Sequence, residues 1–332
     1  MRNILSASII ALLLLGACSS ESERCNLKSE YAAVSVQPSI SRLDHELMKL
    51  RQAEEVIHFM DAHPAFADNF LGRQEYPHDS LVVNSLLALV QNPGIDTLYQ
   101  EIQATFPQDL LNKQFTEIFQ AIRYYYPDFE LPQIEVGLTG FANDMYVNDK
   151  LLILGLDFYL GENATYRPIN IPQYILRRYT PEHLMSNSLL FISQKFNLSN
   201  ETDRSMLADM VYYGKSMYFI ETMLPCTPDS LIIGYTAEEV KDTEENADII
   251  WANFIQNELI YETDYTMKLK FLGERPKTVE IGNKCPGRIG MWLGWQIVRQ
   301  YMERNPEVSL PELMADTNAQ KIFEKSRYKP RT

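Results

Sequence analysis

Gln133-Ile134-Glu135-Val136-Gly137-Leu138, then Met145-Tyr146-Val147, then the run from Leu151 to Leu160 form the one stretch of this 332-residue chain where the apolar period falls to two. Side chains alternate between the faces of a strand, so this spacing predicts a small antiparallel β-sheet containing parts of residues 133–160. Asn148-Asp149 supplies the turn between two of its strands.

On both sides the period returns to that of a helix. Upstream it runs in pieces through Leu43, Leu47, Leu50, Val56, Ile57 and Met60, then through 81–90, 98–106 and 110–126. Downstream, helix starts are marked by Thr180-Pro181, an N-cap followed by proline at the first helical position. Thr236 with Glu239 and Ser309 with Glu312 have capping-box spacing. Two helical faces are clean: Leu207, Met210, Val211, Gly214, Met217, Tyr218, and Gly290, Leu293, Gly294, Ile297, Val298, Tyr301. A helical glycine costs about 1 kcal/mol, so Gly214, Gly290 and Gly294 predict close approach of another backbone. The expected fold is mainly α, of the α+β class: helical over 41–127, a small sheet within 133–160, helical over 180–330, all in one large domain spanning 36–332.

The chain's beginning predicts where it works. Arg2 precedes an apolar run from Ile9 to Leu15, which ends in Leu15-Gly16-Ala17-Cys18. That is a lipobox: a secretory signal over 1–17, too short to span a membrane, with a cysteine directly after its small-residue cleavage site. The expected product carries diacylglycerol on the Cys18 thiol and an acyl chain such as palmitate on the new amino terminus. Several chains together give the stable anchoring that one cannot. Residues 18–35 are polar and read as a lipidated tether, and no later stretch approaches the roughly 18 apolar residues of a span. The membrane is thus expected as a partner through Cys18 alone.

With 45% hydrophobic and 11% aromatic residues, the chain can bury a large core. Its net charge of −14 argues against a nucleic-acid or anionic-lipid surface. Cys18 goes to lipid, leaving Cys25, Cys226 and Cys285 in a compartment where disulfides persist. Cys226 and Cys285 each lie in a proline-containing loop, which favours a Cys226–Cys285 bridge; free buried thiols are the alternative.

Family-like segments are Ser41-Arg42-Leu43-Asp44, Tyr124-Tyr125-Tyr126-Pro127, Leu156-Asp157-Phe158-Tyr159-Leu160-Gly161, Met210 to Lys215, Ile233-Gly234-Tyr235-Thr236, Pro286-Gly287 through Gly294-Trp295, and Ser326 to Pro330. In these the chain resembles the gliding-motility lipoprotein GldB family of the Bacteroidetes over nearly its whole mature length. The resemblance implies a cell-envelope protein, lipid-anchored at the outer membrane and facing the periplasm or the cell surface, with envelope protein partners. The order hairpin, helix, glycine-containing helix and Gly-x-x-x-Gly-Trp helix is also similar to a family of predicted zinc proteases. There the first helix carries His-Glu-x-x-His and the second an acidic ligand before a glycine, giving three protein ligands to zinc.

Here the corresponding segments read Pro181-Glu182-His183-Leu184-Met185-Ser186-Asn187, without a second histidine, and Tyr212-Tyr213-Gly214-Lys215, with tyrosine in the acid's place. No two of the five histidines, His45, His58, His63, His78 and His183, are three or four residues apart. Neither a serine-nucleophile elbow nor a phosphate-binding glycine loop occurs. The expectation is a pseudo-peptidase: no catalytic residue, no metal, no cofactor. The old substrate groove becomes a binding surface lined by His183, Tyr213, Lys215, Arg288, Trp292 and Trp295. The expected role is non-enzymatic binding or assembly in gliding-type machinery; the alternative is a divergent hydrolase that clusters Glu182, His183 and a nearby acid.

Overall fold

The computed structural model describes Cys25 and residues 29–330; the signal segment, Cys18 and most of the tether lie outside the described residues. The sheet has four strands: β1 (Ile40–Arg42), β2 (Gln133–Gly137), β3 (Met145–Val147) and β4 (Leu151–Gly155). Their order is β1-β2-β4-β3. Only β3 and β4 form the expected antiparallel hairpin, whose turn is closed by Asn148 accepting from the backbone N–H of Lys150 and Leu151. The pairs β1–β2 and β2–β4 are parallel, so the sheet is mixed rather than antiparallel. The reason lies in β4. Every one of its residues is buried, and a strand covered on both faces reads as a continuous apolar run, as central parallel strands do. Ser41 and Arg42, expected to begin a helix, are in β1: three residues are too few to show a period, and backbone pairing with β2 recruits them.

The helices before the sheet are α1 (Leu43–Leu47), α2 (Ala53–Ala62), α3 (Pro64–Asn69), α4 (Asp79–Val90), α5 (Pro93–Thr105) and α6 (Gln108–Tyr125). After it come α7 (Gln173–Leu176), α8 (Leu184–Ser193), α9 (Met206–Met223), α10 (Asp229–Ile233), α11 (Ala237–Glu245) and α12 (Ala247–Gln256). The chain closes with α13 (Tyr265–Leu272), α14 (Ile289–Arg304), α15 (Leu310–Ala315) and α16 (Ala319–Ser326). One hydrophobic cluster runs through both halves, from Tyr31 to Ile322. Both capping boxes form, Thr236–Glu239 at the start of α11 and Ser309–Glu312 at the start of α15.

The most extensive helix–helix contact is between α9 and α14, and glycines make it. A Cβ on Gly214 would fall on the Gly294 carbonyl, and one on Gly294 would fall on the Met210 carbonyl group. Gly290 lies against Leu272, whose Cδ2 would be 2.8 Å from an added Cβ. Asp157, fully buried after β4, accepts from the backbone N–H of Phe141 at 2.8 Å and Thr139 at 3.2 Å. It thereby holds a turn in which Gly140 and Phe141 both have positive φ. Burial pushes its carboxyl up to about 6 against those backbone hydrogen bonds.

The cysteines pair differently from expectation. Cys25 and Cys226 form the disulfide, with Cα atoms 4.8 Å apart, and Cys285 is a buried free thiol raised by burial to about 12. The N-terminal segment is folded back beside the end of α9: Tyr31 is buried, packs on Tyr124 and Tyr125, and donates to the Thr222 carbonyl at 3.1 Å. That brings Cys25 to Cys226. Cys285 is turned inward in a separate loop, where its carbonyl accepts from Thr278 N–H at 2.8 Å.

Candidate functional site

Between α7 and α8 the chain reads Arg177-Arg178-Tyr179-Thr180-Pro181-Glu182-His183, and Pro181–His183 form a 3₁₀ turn leading into α8. Thr180 begins the turn as expected, but its hydroxyl does not cap the backbone. It donates to Glu182 Oε2 at 2.6 Å and lies 2.9 Å from His183 Nδ1. A hydroxyl has one proton to give, so His183 donates through Nδ1–H in its neutral form. Burial holds its pKa down to about 4; Glu182 opposes this, and the positive charges of Arg178, Arg177 and Arg288 add to it.

Those arginines share two carboxylates. Arg178 grips Glu274 with two parallel contacts, Nη1 to Oε1 at 2.9 Å and Nη2 to Oε2 at 2.9 Å. Arg288 approaches the same Oε1 at 3.6 Å through Nε, and its Nη2 donates to the Ile233 carbonyl at 2.6 Å. Arg177 pairs with Glu239 at 2.7 Å, and Lys277 reaches that carboxylate's other oxygen at 3.1 Å. Two guanidinium groups, Arg177 and Arg178, keep a buried Nε–H with no acceptor among the described residues. Arg288 is held below the ordinary arginine range, first by burial and then by the neighbouring Arg178 charge.

Local backbone geometry sets this up. Arg288 precedes α14 in the left-handed region, φ 59°, a conformation that a non-glycine side chain adopts at a cost. Gly234, φ 73°, ends α10 there. A Cβ on it would fall on Arg178 Cδ and lie 3.2 Å from Arg288 Nη2. Tyr235 then donates to the Gly287 carbonyl at 2.6 Å, tying the two loops together under the Arg288 guanidinium.

The sequence profile of the gliding motility protein GldB family matches residues 24–330. The chain belongs to the GldB family. No curated protein and no solved structure matches it.

Of the groove residues expected in this GldB-family chain, the structure brings His183 and Arg288 together. Tyr213, half-buried on α9, lies at the margin near Glu274. It does not bring the others. Lys215 is 2% exposed, and its Nζ donates to the carbonyls of Leu198, Asp316 and Met314 at 2.7, 2.9 and 3.2 Å, so it ties loops together rather than facing a ligand. Burial lowers it to about 8. Trp292 and Trp295 are core residues; the Trp295 indole donates to Glu221 at 2.9 Å, and Arg299 stacks on its ring. These three correct the expected lining: α9 and α14 are covered on most sides, so a regular face on either meets another helix. Arg177, Arg178, Glu239, Glu274 and Lys277 were missed. The available signal was the Arg177-Arg178 doublet beside Thr180-Pro181 in a chain of net charge −14.

Among the described residues, no group of three or more His, Cys, Asp or Glu side chains is placed to hold a metal ion. No described helix is long and apolar enough to cross a membrane.

Proposed function

We propose that this protein is a lipid-anchored, non-enzymatic binding subunit of a gliding-type envelope assembly, held at the outer membrane through lipid on Cys18. The observation that carries the reading is the arginine cluster around His183. In the segment that resembles a zinc-binding helix, the one histidine is buried and bonded to Thr180, with three guanidinium charges acting on it. A divalent cation there would meet like charge, whereas an anionic group would meet complementary charge. Glu182, the remaining residue of that segment able to act as a base, is occupied by Thr180.

The disulfide supports the anchored arrangement. Cys25 comes seven positions after Cys18, and an extended chain spans at most about 3.6 Å per residue. Lipid on Cys18 would therefore hold the Cys226 end of α9 within about 25 Å of the membrane surface. The test is a pair of variants in cells. Cys18→Ser should take up no labelled palmitate and lose function, while His183→Asn should function as wild type. Normal palmitate uptake by Cys18→Ser, or loss of function in a stably folded His183→Asn, would overturn the proposal.

A further inference from the structure

Four cations, Arg177, Arg178, Arg288 and Lys277, converge where the segments around 177–183, 233–239 and 274–288 meet. Three carboxylates face them: Glu239 and Glu274, each shared by two cations, and Glu182, engaged with Thr180. With His183 neutral, the local balance is one positive charge, in a chain whose total is −14. Donors also exceed acceptors. The two buried Nε–H groups have no partner, and Arg288 meets Glu274 only at ion-pair distance. A buried donor left unmade costs stability and calls for a reason; so does Arg288's left-handed backbone.

Of the two acids paired with the arginines, Glu274 is the one in a position to leave. It follows Gly273, directly after α13, and its side chain is 45% exposed, against 14% for Glu239. Its carboxylate meets the Arg178 fork side by side, the geometry in which a planar carboxylate binds a guanidinium.

We propose that this cluster binds a carboxylate of an acidic segment of a partner protein, and that Glu274 is an internal stand-in which the incoming carboxylate displaces from Arg178 and Arg288. The inference rests on the binding-subunit reading and names its ligand chemistry. A carboxylate fits better than a phosphate group because the fork already holds a planar carboxylate in the side-by-side geometry that the newcomer would take over. Arg288, which Glu274 meets only at 3.6 Å, supplies a further donor for the newcomer, and Gly234 keeps the two guanidinium groups side by side.

The test uses the full lipidated chain in detergent and a fluorescent peptide of four glutamates with blocked ends, read by anisotropy, with inorganic phosphate as competitor. Glu274→Gln, which removes the stand-in, should tighten peptide binding at least about fivefold. Arg178→Met and Arg288→Met should each weaken it about tenfold or more. Arg178→Lys, which keeps the charge and loses the fork, should resemble Arg178→Met and covers the case in which the methionine variant misfolds. Binding should weaken as salt rises. Unchanged or weaker binding by Glu274→Gln, full binding by Arg178→Lys, or displacement of the peptide by equimolar phosphate would each overturn the proposal. If no variant binds the peptide while cross-linked envelope partners persist in cells, the inference fails and the binding-subunit reading stands.

Discussion

Adding one methyl group at Gly294 tests the packing on which the C-terminal half depends. In an open helix, glycine to alanine gains about 1 kcal/mol. At Gly294 the new Cβ would fall on the carbonyl of Met210 and lie 3.0 Å from its Cα. The obstacle is the backbone of α9, which cannot rotate aside as a side chain can, so α9 and α14 must separate or tilt. Overpacking of this kind costs about 1–3 kcal/mol. The separation also loosens the contacts of Val211, Leu293 and Ile297, all buried. Set against the gain in propensity, and with the loosened contacts added, Gly294→Ala should destabilise by about 1–2 kcal/mol. For a chain of this size that lowers Tm by roughly 2–3 °C. Urea denaturation followed by tryptophan fluorescence would measure it, since Trp292 and Trp295 lie on α14 itself. Gly282→Ala is the control: nothing lies within 4 Å of its added Cβ, and its stability should change by less than about 1 kcal/mol. If Gly294→Ala proved more stable than wild type, the helices are not in backbone contact and the argument is wrong.

Lys215→Met keeps the aliphatic stem but leaves three carbonyls, that of Met314 buried, without their ammonium donor. It should cost about 2–4 kcal/mol in urea unfolding and leave peptide binding unchanged; loss of binding without loss of stability would make Lys215 part of the site after all. His183, with its folded pKa near 4 against 6.5 in an unfolded chain, binds protons less readily when folded, so its contribution to stability falls as pH drops from 6.5 to 4. Asp157, raised to about 6, acts in the opposite direction over much of that window. Relative to wild type, His183→Asn should therefore gain up to about 3 kcal/mol between pH 6.5 and 4, and a pH-independent difference would refute the burial argument. Cys226→Ser opens a disulfide that joins residues 201 apart; chain entropy predicts a loss of about 5 kcal/mol, while Cys285→Ser should remove a free thiol and leave the disulfide intact.

What could be read in advance was local. The capping boxes at Thr236 and Ser309 depend on residues three apart, and the roles of Gly214, Gly290 and Gly294 follow from the cost of glycine inside a helix. The β3–β4 hairpin was legible from its period and its Asn148 turn. β1 was not: Ile40-Ser41-Arg42 has no pattern of its own and is defined by its partner strand. The faces of α9 and α14 misled for a related reason. α9 buries Lys215, Ser216 and Glu221 along with its apolar residues, so it has no solvent side from which to read a ligand surface. The arginine cluster is assembled from residues as far apart as Arg177 and Arg288, and its carboxylates come from a helix cap and a loop. Nothing in the spacing of either segment announces the other. The disulfide likewise depends on the fold-back that Tyr31 secures.

Binding through the arginine cluster, and not chemistry at His183, is the mode of action proposed for this GldB-family protein. It is tested most directly by cross-linking envelopes of cells that carry wild type, His183→Asn, or the Arg178→Met/Arg288→Met double variant, and comparing co-captured partners at equal amounts of folded, membrane-bound protein. Wild type and His183→Asn should capture the same partners, and the double arginine variant should lose them. Partners retained by the arginine variant but lost with a stably folded His183→Asn would contradict it.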